Sequence, residues 1–316
     1  VVRPWLTLLL LTLFQMLACA QFSRYADPRL AGHGALPQDG QPWLPLSELL
    51  QTMLESGRLQ LPWLEPTGFS DLRFAAPLPL PEAVTRECRI TARSQSWLLQ
   101  DGVMTRMCHV RLQSRDLAPN LRRINHFSPL ARGMVFLAAA AGSLPPLWDG
   151  EMAVTGPDLP LEDFYAGCGM AEGWRLLEEL APAGDDLWQG RFDGMAQGIA
   201  PVGKSGYCSL LSAVDAILQA ACRIMEETVP GAELAGGRLL WPQGWRLSGI
   251  GFIRFADAGL LCGARMPWRI QLRRGWDDER LQRYDAQVVD ADGRVLLTLH
   301  QMEFEKDVRP QEGAGA

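Results

Sequence analysis

The sequence predicts an α+β fold made of two copies of one plan, a long apolar helix followed by an antiparallel sheet that wraps it. Three observations predict it. Apolar runs with helical periodicity occur at 45–56 and at about 208–227, and each precedes strand-like segments. Each half then carries two long strands around a turn signal, Gln100-Asp101-Gly102 in the first and Asp292-Gly293 in the second. The phrasing also recurs, with Gly68-Phe-Ser-Asp-Leu-Arg-Phe74 in one half and Ser248-Gly-Ile-Gly-Phe-Ile-Arg-Phe255 in the other.

Residues 1–21 form an apolar leader. Arg3, the run from Leu6 to Leu17 and the small residues Ala18-Cys19-Ala20 fit a secretory signal peptide, whereas the start at Val1 fits a remnant of a preceding segment. The apolar run is short for a membrane span. The first unit, 22–125, holds the helix at 45–56, which Gly57 is expected to end. Strands follow at 59–64, 69–74, 88–98 and 103–113. In the last, Met104, Cys108, Val110 and Leu112 alternate with Thr105, His109 and Arg111, the period of a half-buried strand. A Pro- and Gly-rich connection, 126–160, carries one short apolar helix at 134–141. The second unit, 161–308, repeats the plan: the helix at 208–227, then strands at 239–241, 247–255, 268–272, 283–290 and 294–304. The tail, 309–316, reads as disordered.

Composition narrows the function classes. At 316 residues with 47% hydrophobic content the chain has material for one large or two medium cores. A net charge of −6 gives no general pull toward nucleic acid or anionic lipid. The seven cysteines are scattered without metal-ligand spacing, which argues against a zinc site or a disulfide framework. Cys88, Cys108 and Cys222 read as small buried hydrophobes, which favours the cytoplasm; secretion is the alternative if residues 1–20 are a signal peptide. Phosphate loops, the Gly-x-Ser-x-Gly elbow and metal-binding helix motifs are absent from the sequence.

One residue is out of place on energetic grounds. Asp215 interrupts the apolar run Leu210-Leu-Ser-Ala-Val-Asp215-Ala-Ile-Leu-Gln219, and Gln219 shares its helix face. An unpaired carboxylate among such neighbours would cost several kcal/mol. The acid is therefore partnered, neutral at physiological pH, or beside a polar cavity, and the last two are how general acids are made. The alternative is a solvent-facing Asp215 with an ordinary i,i+4 hydrogen bond to Gln219.

The helix with Val-Asp215-Ala-Ile-Leu-Gln219, followed by strands ending in Tyr284-Asp-Ala-Gln-Val-Val-Asp-Ala-Asp-Gly293-Arg-Val-Leu, resembles the C-terminal half of a polyketide synthase dehydratase domain, a double-hotdog family that includes dehydratase-like domains of polyunsaturated fatty acid synthases. Its Asp-x-x-x-Gln motif matches Asp215 and Gln219. The segment from His33 through Gly40 and Pro45 into the first helix is similar to the family's His-x-x-x-Gly-x-x-x-x-Pro segment. Asp163-Phe-Tyr165 and the stretch from Gly169 to Leu177 extend the likeness, which covers roughly residues 22–306.

The resemblance implies dehydration of a 3-hydroxyacyl thioester on an acyl carrier protein, as a hydro-lyase without cofactor or metal. It implies His33 as base, Asp215 as acid and Gln219 as the residue orienting acid and hydroxyl. Pro45, Leu46, Gly173 and Trp174 would line the substrate, with an amide near Leu46 polarising the thioester carbonyl. Implied partners are the carrier protein with its phosphopantetheine-linked chain, other synthase domains and a second copy of the chain, and not nucleic acid. Three departures stand out. The spacing from His33 to Gly40 is longer than the family's, Glu172-Gly173-Trp174 replaces its Tyr-Gly-Pro, and Leu210-Leu211 replaces its His-Pro pair. The alternative functions are therefore a catalytically degenerate structural domain of a megasynthase, and a double hotdog guiding cyclisation of a poly-β-keto chain. His109 and His300 read as structural or solvent-facing, and His126 would matter only if the connection covers the site. Trp268 to Arg274 puts Arg269 and Arg273 on one strand face, which is either solvated or a dock for an acidic carrier.

Overall fold

The computed structural model describes residues 21–22, 46–75, 85–100, 102–117, 122, 125–139, 142–148, 152–168, 170, 175–192, 207–229, 244–257, 264 and 267–306. The first half comprises β1 (Gln21–Phe22), α1 (Leu46–Gln60), β2 (Glu65–Phe74), β3 (Thr85–Gln100), β4 (Val103–Leu117) and β5 (Ser128–Ala138). The second comprises α2 (Leu161–Cys168), β6 (Leu177–Gly184), β7 (Leu187–Phe192), α3 (Tyr207–Thr228), β8 (Trp245–Phe255), β9 (Trp268–Asp277), β10 (Leu281–Val289) and β11 (Val295–Lys306).

All the described strands join one antiparallel sheet in the order β1-β3-β4-β5-β2-β8-β11-β10-β9-β7-β6. From the central β2·β8 pair outward, β5, β4 and β3 on one side answer β11, β10 and β9 on the other. The order is that of a two-fold repeat, and the fold is the α+β double hotdog. The recurring phrases are the seam itself: Phe69 pairs with Ile253, Ser70 with Phe252 and Arg73 with Gly249. Two glycines permit this approach. A Cβ on Gly68 would lie 2.0 Å from the Ile253 carbonyl oxygen, and one on Gly249 would lie 2.6 Å from that of Leu72.

Both helices lie on the same side of the sheet and touch each other, α1 against β2 to β5 and α3 against β6, β7, β9 and β10. On α1, Leu46, Leu49, Leu50, Met53 and Leu54 are buried at helical spacing, against strand residues such as Phe69, Leu72, Cys108, Val110 and Leu112. From Leu210 to Met225 every residue of α3 is buried, as befits a helix enclosed by sheet, partner helix and connection. Cys88, Cys108 and Cys222 are buried as the sequence led us to expect, and so is Cys168.

Several elements depart from the sequence reading. Gly57 does not end α1; the helix continues to Gln60. That glycine faces β5, where a Cβ would meet Val135 Cγ1 at 3.1 Å. Residues 59–64, expected as a strand, are the last helical turn and the bend into β2. Residues 134–138 are strand β5 rather than the start of a helix. Lying between β4 and β2, β5 buries residues almost continuously from Val135 to Ala138, and such a run carries no period to separate strand from helix. The alternation in β4 holds from Cys108 to Leu112 and reverses near the hairpin, where Thr105 is buried and Met104 is 52% exposed. The hairpin β6–β7 and helix α2 had no counterpart in the sequence reading.

The connection is held to the second half by backbone and side-chain bonds. Thr155 and Leu159 amides donate to the Pro182 and Leu180 carbonyls, and the Leu147 amide donates to Gln287 Oε1 at 2.7 Å. At the β10–β11 turn Asp290 Oδ1 accepts from the Asp292 and Arg294 amides while Oδ2 pairs with Arg294. Burial raises the Asp290 pKa, but its bonds to Arg294 outweigh this and hold it below the ordinary value. No helix among the described residues is long and apolar enough to cross a membrane.

Candidate active site

Asp215 is 1% exposed and Gln219 is wholly buried, so the solvent-facing alternative for this pair is ruled out. The carboxylate does not reach toward Gln219 as its main partner. It crosses to the other half of the molecule, where the Ser47 backbone N–H donates to Asp215 Oδ2 at 3.3 Å. This contact sits at the N-terminus of α1, whose first residue is Leu46. The exposed amides and dipole of a helix start favour a negative charge there.

Two influences compete on this acid. Burial pushes its pKa up, while the Ser47 hydroxyl and the Ser47 and Leu46 amides pull it down and the nearby Glu48 charge adds a smaller upward push; the outcome is a pKa of about 7. Asp215 is thus a carboxyl that is substantially protonated at neutral pH yet stabilised enough to ionise. That is the electrostatic requirement for a general acid working near pH 7.

Gln219 is anchored elsewhere. Its Oε1 accepts from the Tyr165 hydroxyl and from the Leu176 amide, both at 3.1 Å. The Tyr165 oxygen in turn accepts from the Leu177 amide at 3.0 Å. Gln219 therefore ties α3 to α2 and to the start of β6. One turn further along the same face, Arg223 Nε donates to the Pro160 carbonyl at 3.2 Å, and its guanidinium pairs with Glu226 and Glu227. Asp215, Gln219 and Arg223 form a polar stripe at i, i+4, i+8 on an otherwise apolar helix. Each is met by a different segment: α1, the α2–β6 region and the connection.

Leu46 is buried at the start of α1, so the backbone end expected to polarise a carbonyl does face Asp215. His33, Pro45, Gly173 and Trp174 lie outside the described residues. The remaining histidines are placed on the exterior. His126 is exposed, His109 occupies the outer face of β4, and His300 on β11 has Nδ1 3.9 Å from Asp285 Oδ1. Among the described residues no group of three or more His, Cys, Asp or Glu is arranged to hold a metal. Ser47 and Tyr165 are the contributors that sequence reasoning did not assign. Ser47 carried one usable signal, a serine two residues after Pro45, where the sequence predicts the helix to start.

No known protein-family profile matches the chain, and no curated protein does. Solved structures do match. The dehydratase domain of RzxB from Pseudomonas fluorescens superposes with a TM-score of 0.60 at 15% identity, covering 91% of this chain and 93% of that one. The dehydratase domain from the CurJ module of curacin polyketide synthase gives 0.64 at 15% identity, covering 91% and 90%. An N-terminal dehydratase from the difficidin assembly line gives 0.62 at 12% identity, covering 92% and 93%. The chain thus has the double-hotdog fold of polyketide synthase dehydratase domains over nearly its whole length.

Proposed function

We propose that this chain is a dehydratase-type domain that removes water from a 3-hydroxyacyl thioester carried on an acyl carrier protein, giving the 2-enoyl thioester. The observation that carries the proposal is Asp215, a fully buried carboxyl with a pKa of about 7 held against the N-terminus of the opposite helix. Dehydration needs a base for the α-hydrogen and an acid for the leaving hydroxide, both on the same substrate. His33 takes the α-proton, the double bond forms as the C–O bond breaks, and Asp215 supplies the proton with which hydroxide leaves as water. The imidazolium then returns its proton to the Asp215 carboxylate. No oxidation occurs, so the route draws on no redox group.

Three further points support this reading. The other three histidines are on the exterior, which leaves His33 as the candidate base. A CurJ dehydratase with histidine replaced by phenylalanine and a CurK dehydratase with aspartate replaced by asparagine are both described as inactive. Gln219, through Tyr165 and Leu176, fixes α3 and so the height of Asp215 along the site; this makes it a positioning residue. Pro45, Leu46, Gly173 and Trp174 are proposed to line the acyl chain.

A second reading, a domain that kept the fold and lost the chemistry, draws on Leu210 and Leu211. These stand where active members of the resembled family usually carry His-Pro, and they are packed fully into the core. Turnover of a 3-hydroxyacyl pantetheine thioester by the wild type and by Asp215→Asn and His33→Ala separates the two. The dehydratase reading expects enoyl formation by the wild type and a 10²–10⁴-fold loss in each variant, roughly the contribution of one acid or base. A folded wild type without turnover supports the degenerate domain, and turnover unchanged in both variants sinks the assignment of the pair.

A further inference from the structure

The outer face of the first half carries a concentration of positive charge that the dehydration chemistry does not use. Inward residues Cys108, Val110 and Leu112 of β4 are buried under α1, so their neighbours His109 and Arg111 point to the opposite side of the sheet. The register then assembles a patch across three strands. Arg93 on β3 pairs with His109 on β4, and Arg111 on β4 pairs directly with Arg132 on β5. All three arginines are exposed. None makes an ion pair or hydrogen bond with a described residue, whereas the next arginine in the row, Arg73, is bound to Glu303.

Placing like charges directly opposite each other on neighbouring strands is unfavourable. Here it is done twice over, because Arg132 faces Arg111 on one side and Arg73 on the other. In a chain of net charge −6 this patch is a local reversal of sign. Its field reaches His109, whose pKa is held below the usual value by partial burial and by Arg111, Arg132 and Arg93. The corresponding basic strand in the second half differs. Arg273 on β9 is met by Asp285 and lies over Trp148, so that arginine is already neutralised, while Arg269 on the same face is half-buried.

We infer that Arg93, Arg111 and Arg132 form a docking surface for an acidic helix of a partner protein. The strand spacing sets the arginines roughly 5–10 Å apart across the sheet, which suits carboxylates at i and i+4 on a helix. Nucleic acid fits less well, since a patch three strands wide offers no long basic track and the net negative charge repels a polyphosphate. The surface also serves assembly rather than substrate entry. Gly57 on α1 packs on Val135, beneath the patch, while Leu46 at the Asp215 end is eleven residues away, roughly 16 Å along the helix and on the other side of the sheet.

The test uses the full chain and a fluorescent helical peptide with glutamates at i,i+4, at low and moderate ionic strength. The same peptide with glutamine for glutamate, and a short DNA duplex, serve as controls. Saturable binding of the acidic peptide by the wild type is expected, weakened at least tenfold in Arg93→Glu/Arg111→Glu/Arg132→Glu and in the milder triple Gln variant, and by salt. Circular dichroism confirms the fold of both variants. Wild-type binding that is absent, unchanged in both variants, equal for the glutamine peptide or tighter for DNA overturns the inference. Turnover of a pantetheine thioester, expected to be the same in wild type and variants, reports separately on the dehydratase proposal.

Discussion

At the scale of single residues, the decisive one is Asp215, and its raised pKa makes a stability prediction independent of any substrate. For an acid whose folded pKa is above its unfolded value, the folded state binds the proton more tightly. Stability is then fully present below the unfolded pKa, near 3.8, and is lost as pH rises through the folded value of about 7. The full difference amounts to about 4 kcal/mol. Asp215→Asn, which keeps the shape and removes the charge, should therefore melt higher than the wild type at pH 8, and the gap should shrink at pH 5. A gap that is independent of pH would mean that Asp215 ionises normally. The sequence exposed the energetic problem, a carboxylate in an apolar helix, and the i,i+4 partnership of face with Gln219. It did not reveal that the carboxylate is met by Ser47, because 168 residues separate the two and only the folded seam brings α1 and α3 together.

At the scale of elements, α3 is held in place by the polar stripe it presents to its neighbours. Tyr165→Phe removes a donor to Gln219 and the acceptor of the Leu177 amide, and should cost about 1–2 kcal/mol in chemical denaturation. If α3 positions Asp215 as proposed, the same variant lowers kcat more than it raises KM. A purely structural contact would change stability and leave the kinetic split alone. Legibility among the elements follows burial. The alternating stretches, Cys108 to Leu112 of β4 and Leu281 to Ala286 of β10, could be read by their period, whereas β11, buried continuously from Val295 to Leu299, was legible through its bulky apolar content and the Asp292-Gly293 turn before it. Strand β5 is sandwiched between partners and loses its alternation, and β6 carries Pro182 and a burial pattern too irregular to read. Gly57 misled for a different reason, since a glycine that admits Val135 looks in sequence like one that ends a helix.

At the scale of the whole molecule, the two halves become one sheet through β2 and β8, and the contact between Asp215 and Ser47 joins the same two halves. Gly249→Ala places a methyl against the Leu72 carbonyl and should destabilise the protein by about 1–3 kcal/mol, with loss of activity tracking loss of fold. The internal repeat was legible because helix and strand order recur in each half. That the echoing phrases pair with each other was not, since pairing across the seam is a property of the closed sheet. The joined halves bury Asp215 and set its carboxyl to give up its proton near neutrality. A carbon-13 chemical-shift titration of the Asp215 side-chain carboxyl tests this most directly. A midpoint near pH 7 is expected, and a midpoint near 4 would mean that Asp215 ionises as an ordinary carboxyl.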